Sequence, residues 1–167
     1  FDGAISSGNQ LGKHFRPTMY DYLVHKAISF YYGEDLELTA PRTPFYFKNP
    51  LLFSHSPTFV NTRFNVPPDY PFLRKTLELF RDLERFHLSP HPNANADALV
   101  HVALQRMEFV DDNSMFDDSE EIYYRALMEL IKKYREFPVV FDLYQKLVRH
   151  FVYWGKQFDP GIPVRYK

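Results

Sequence analysis

The chain has no cysteine, which excludes disulfides, thiolate metal centres, cysteine nucleophiles and an internal thioester within its 167 residues. It has no apolar run of the ~18 residues a membrane span needs, and no signal-peptide pattern. It starts at Phe1 instead of methionine, from which we expect a piece of a longer precursor. An excess of one charge is missing too. The 20 Lys and Arg nearly balance the 21 Asp and Glu, and no basic block gives the electrostatic footprint of a nucleic-acid binder, so nucleic acid is not an expected partner. No Gly-x-Ser-x-Gly, His-Glu-x-x-His, Walker A or Gly-x-Gly-x-x-Gly pattern occurs. Enzymatic activity and cofactors are therefore not expected.

Aromatic residues are abundant instead, with 17 Phe and 12 Tyr, alongside 13 Pro and only 6 Gly. A chain of this length buries roughly 70% of its unfolded surface in one core, and each buried ring removes roughly 150–250 Å² from water. The expected organisation is all-α. A flexible Gly/Ser/Asn-rich leader covers 1–16, a single helical domain 17–155, and an irregular tail 156–167.

Within that domain a first helix is predicted over 18–33. Thr18 with Asp21 three residues on forms a capping-box pattern, Met19, Tyr22, Leu23, Ala27, Phe30 and Tyr31 give the inward stripe, and Gly33 gives the C-cap. Residues 34–70 carry Pro41, Pro44, Pro50, Pro57, Pro67 and Pro68 and no helical period. They read as an extended strap held on the helices by its rings, with Phe45, Tyr46, Phe47, Phe53 and Phe59 as candidate anchors or interaction residues. Further helices are predicted over 71–87, 95–109, 119–135 and 138–154. Arg74–Phe86 (RKTLELFRDLERF) aligns without gaps on Arg125–Phe137 (RALMELIKKYREF). An echo that opens two successive helix pairs is what a short tetratricopeptide-like α-solenoid would give, since each pair needs a neighbour to cover its apolar face.

Seven histidines raise the question of a metal. His87 and His91 are four apart, but Pro90 between them breaks the shared helical face, and His25, His101 and His150 lie inside predicted helices. The acidic link with Asp111, Asp112, Asp117 and Asp118 lacks the ligand spacing and closing Glu of a calcium loop. No metal site is expected.

Arg16-Pro17-Thr18, Tyr20-Asp21, Leu23, His25 and Ala27, followed by Phe30-Tyr31, resemble the PT-x-YD-x-L-x-H-x-A segment near the N-terminus of very large bacterial proteins of the alpha-2-macroglobulin family, especially those of Bacteroidetes. The likeness covers residues 16–32, with looser support from the helical pairs after 71. It implies a helical region preceding β-sandwich domains, a cell-envelope location in the periplasm or on the outer membrane, and a parent that traps proteases. The Cys-x-x-Gln thioester site has no counterpart here, so no catalytic residue carries over. Pro17, Thr18, Tyr20, Asp21 and His25 are candidate structural residues, with Thr18 and Asp21 starting the helix, Leu23 and Ala27 packing, and Tyr20 and His25 bonding to the strap. The expected function is a non-enzymatic scaffold or interaction domain whose partners are other domains of the parent chain or, through the parent, proteases. The alternatives are a free-standing solenoid that binds peptides in a groove between the second and fourth predicted helices, or a metal-binding or enzymatic domain.

Overall fold

The computed structural model describes residues 10–33, 43–90, 94–115 and 118–157. Its elements are α1 (Gln10–Phe15), α2 (Met19–Tyr32), a 3-10 turn (Pro50–Phe53), α3 (Ser56–Phe59), α4 (Pro71–Leu88), α5 (Ala96–Asp112), α6 (Ser119–Tyr134) and α7 (Val140–Gln157). Among the described residues there is no strand, only a single parallel bridge between Phe47 and Ser114. The all-α expectation holds. Short connections fold α4 back on α5 and α6 back on α7, α5 also packs on α6, and α2 lies along α4.

Local chemistry sets the ends of these helices. Pro71 occupies the first turn of α4, where its missing N–H costs nothing. Asn95 caps α5, its Oδ1 accepting from the N–H groups of Asp97 at 2.8 Å and Ala98 at 3.1 Å. Glu120 and Glu121 open α6 and Lys132 and Lys133 close it, complementing the helix dipole. α5 is the axis of the molecule. Leu99, Val100, Val102, Ala103, Leu104, Met107, Phe109 and Val110 are all buried, so apolar residues surround it, as expected for a helix with neighbours on every side.

Four expectations need correction. Residues 10–15, assigned to the flexible leader, form α1, which packs on α5, while residues 1–9 lie outside the described part. In the strap, whose residues 34–42 are also outside it, the prolines permit two short helical turns by sitting at their first or second positions, Pro50 first in the 3-10 turn and Pro57 second in α3. α5 and α7 run on to Asp112 and Gln157, beyond the expected ends at 109 and 154 and into the expected tail, of which 158–167 are outside the described part.

The largest correction concerns α2. Most of its predicted stripe faces outward, with Met19 43%, Leu23 58% and Phe30 63% exposed while Ala27 and Tyr31 are half-buried, and the buried residues are Asp21, Val24, His25 and Ile28. These also recur at helical spacing, but two of the four are polar. The helix turns this face inward because both polar residues find ring partners on α4 and α5.

Candidate functional site

The N-terminal motif builds the first of three buried polar nodes. Thr18 caps α2: its backbone N–H donates to Asp21 Oδ2 at 2.9 Å, and Asp21 N–H donates to Thr18 Oγ1 at 3.1 Å. The capping box forms as expected, but its acid has a second task. His87 of α4 donates from Nε2 to Asp21 Oδ1 at 2.6 Å, and both side chains are almost fully buried. Burial alone would raise the Asp21 pKa, yet the hydrogen bonds from His87 and Thr18 outweigh it and hold the carboxyl below its usual range. One turn on, the His25 ring lies 5.9 Å from that of His101 on α5, and His101 is stacked on Phe15 of α1 at 4.9 Å. Burial, with the positive Arg16 nearby, drives His25 down to about 3, so it is neutral at pH 7. Tyr20 is 40% exposed and packs on Phe86 of α4 at 4.9 Å; Pro17 is exposed just before the cap. Among the described residues Tyr20 and His25 thus meet α4 and α5, where bonds to the strap were expected, and Leu23, expected to pack, faces solvent.

The second node fixes the strap. Arg106 of α5 and Glu84 of α4 are wholly buried, with Arg106 Nε donating to Glu84 Oε1 at 2.7 Å. The guanidinium continues into the strap, where Nη1 donates to the Leu52 carbonyl and Nη2 to that of Ser54 at 2.8 Å, and its plane lies 4.1 Å from the Phe59 ring centre. Burial pushes the Glu84 carboxyl up, and the Arg106 charge pulls it down. More arginines of α4 hold the same segment. Arg85 donates to the Val60 carbonyl at 2.9 Å, Arg74 to that of Val66, and Arg81 sits 5.0 Å over the Phe64 ring. The strap's rings complete the attachment: Phe47, Phe53 and Phe59 are buried, Phe45 and Tyr46 half-buried. Phe47 meets Phe109 of α5 at 5.7 Å and Phe53 meets Tyr123 of α6 at 6.2 Å. The strap therefore lies across α4, α5 and α6, in the place proposed for a peptide groove.

Asp97, in the first turn of α5, makes the third node. Its Oδ2 lies 2.5 Å from His14 Nε2 of α1, and its Oδ1 accepts from the Val139 N–H at the start of α7 at 3.1 Å. At the other end of α5, Asp111 is raised to about 6 by burial and by the neighbouring Asp112, Glu120 and Glu108, while Tyr32 donates to Asp112. Asp118 precedes α6 without a capping bond, and Asp117 and His91 lie outside the described residues. Among the described residues no three His, Cys, Asp or Glu are grouped to hold a metal ion.

Local pattern could not reveal the Glu84–Arg106 and Asp21–His87 pairs, which join residues far apart in sequence. One signal was available: Arg106 is the lone basic residue of α5. A single cation in so apolar a helix must find a buried acid or a set of carbonyls. Chemically, both pairs are enclosed, and every nitrogen of the Arg106 guanidinium is engaged with protein. Comparison with protein-family models, curated proteins and solved structures finds no match.

Proposed function

We propose that this chain is a non-enzymatic scaffold and interaction domain, built as a short tetratricopeptide-like stack within a larger cell-envelope protein of the alpha-2-macroglobulin type. The single observation that carries the scaffold reading is the outer face of α7. Phe141, Tyr144 and Val148 follow one another three and four residues apart, and Phe141 is 76% and Val148 60% exposed, while Phe151, next in the row, packs on Tyr124 of α6 at 5.8 Å. The inward residues of the same helix, Val140, Leu143 and Leu147, follow the same spacing one position earlier. A helix with two apolar seams is made to pack on both sides, whereas a terminal capping helix carries a polar outer face. Such a face supports docking of an adjoining domain. The self-filled strap groove argues against the free-standing peptide binder. The family and envelope assignments rest on the resemblance at residues 16–32. No helix among the described residues is long and apolar enough to cross a membrane.

The test is to express residues 1–167 and the remainder of the parent as separate polypeptides and measure their association by calorimetry. Phe141→Ser with Val148→Ser is expected to weaken it by about tenfold or more while leaving thermal unfolding nearly unchanged. Association unaffected by this double substitution would refute the α7 docking face. A parent gene that ends shortly after Lys167 would refute the family reading.

A further inference from the structure

Away from α7, the strap and α4 enclose a cavity of about 630 Å³, a size typical of pockets that hold small ligands. Its walls belong to the core. Phe47 and Leu77 are 2% and 0% exposed, and the Phe47 N–H is fixed by the Asn113 carbonyl at 2.7 Å. Phe45 meets Phe47 edge-on at 5.9 Å, and Phe64 is held between Phe59 at 5.5 Å and the Arg81 guanidinium. These rings are therefore in place before any ligand arrives.

The polar lining is of one sign. Lys48 and Arg63 both line the cavity, and among its described lining residues there is no Asp or Glu. Both cations are exposed, and neither is in an ion pair among the described residues. They contrast with Arg74, Arg81, Arg85 and Arg106, which are all engaged with the strap or a carboxylate. Two cations without acids above an aromatic floor complement a ligand that is anionic at one end and apolar along its body.

We propose that this cavity binds a carboxylate carried on an apolar body, with Lys48 and Arg63 holding the carboxylate and the half-buried Phe45 and Phe64, backed by Phe47, enclosing the body. A free alkyl or aromatic acid has this chemistry, and so does the C-terminus of a polypeptide that ends in an apolar residue. The site is separate from the α7 face, so it stands or falls independently of the scaffold reading.

Calorimetric titration of the full chain with decanoate, and with a short peptide ending in Phe as the free acid, separates the two sources by their relative affinity. Decylamine and the C-terminally amidated peptide are the controls. Saturable binding of at least one acid is expected, with its control about tenfold weaker or more. Lys48→Gln with Arg63→Gln, both at exposed positions, is expected to weaken the acid by a similar factor without altering the circular dichroism spectrum. Absence of saturable binding by both acids would overturn the proposal. So would equal binding of acid and control, or affinity unchanged by the double substitution.

Discussion

The hairpins α4–α5 and α6–α7 begin with the same thirteen-residue pattern, yet the first is flanked by both α2 and the strap while the second leaves an outer apolar row in solvent. At matched positions Thr76 and Leu127 are both buried, as are Phe80 and Ile131. The likeness then ends. Leu77 is fully buried where Met128 is 39% exposed, and Glu84 grips Arg106 in the interior where Arg135 is a surface residue. α2 and the strap cover the first hairpin, while the outer seam of α7 meets solvent. A repeated amphipathic pattern thus fixes the helix and its inward ridge, but its neighbours decide what its flanks do.

The sharpest way to break this comparison is through the paired arginines. Arg106→Ala leaves Glu84 buried without its cation and releases two strap carbonyls, so about 3–5 kcal/mol of stability should be lost, with faster proteolysis within residues 43–70. Arg135→Ala removes a side chain that is 74% exposed and, among the described residues, bonded to the adjacent Glu136 alone, so a change within about 0.5 kcal/mol is expected. Chemical denaturation of both variants reads the difference. Similar losses would mean that the hairpins are not distinguished by their surroundings.

Acid is expected to act next, through the α2 face that clasps the first hairpin. The native state keeps His25 near 3 against an unfolded value near 6.5, so between those limits the unfolded chain binds the extra proton. The His25 contribution to stability is then full above the upper limit and falls as pH drops, by about 2 kcal/mol at pH 5. Asp21, held below its usual range, adds to the loss in the same direction in stronger acid. Asp111, raised to about 6, opposes this in the same window and His101, lowered by burial, adds to it, so His25 is read as a difference: from about pH 7.5 down to pH 5 the urea midpoint of the unsubstituted chain should fall relative to that of His25→Gln. A difference between the two chains that does not change with pH would show that the His25 ring is not shielded from protons.

The smallest contrast is between caps. Thr18→Ala should cost about 1 kcal/mol because it breaks the capping box of α2. Asp118→Ala, before α6, removes a side chain that makes no capping bond and should shift thermal unfolding little. Equal shifts would remove this distinction.

Much of this architecture was legible in the sequence because helix ends are local events. The Thr18–Asp21 box, Pro71 and Asn95 lie where their chemistry requires, and Phe47, Phe53 and Phe59 became the anchors the strap needed. Hydrophobic spacing failed where polar residues had buried partners. Asp21 and His25 turned α2 over because His87 and His101 were waiting on other helices, which no window on α2 alone contains. Spacing also merged the two seams of α7 into one, since apolar residues on adjacent faces look like a single broad stripe. Of the candidate sites, the motif and the anchors were legible as structure. The lone cation of the strap clamp was in plain view, but its acid lay on a different helix.

Asp97 joins the first and last described helices through one carboxylate, with α1 on one oxygen and the start of α7 on the other. Tension applied at the leading end of the chain therefore has a short circuit to the final hairpin, bypassing the long contour of polypeptide between them. A tug on one end would reach the far helix through these two hydrogen bonds, so one carboxylate couples the mechanical fate of two helices distant in sequence.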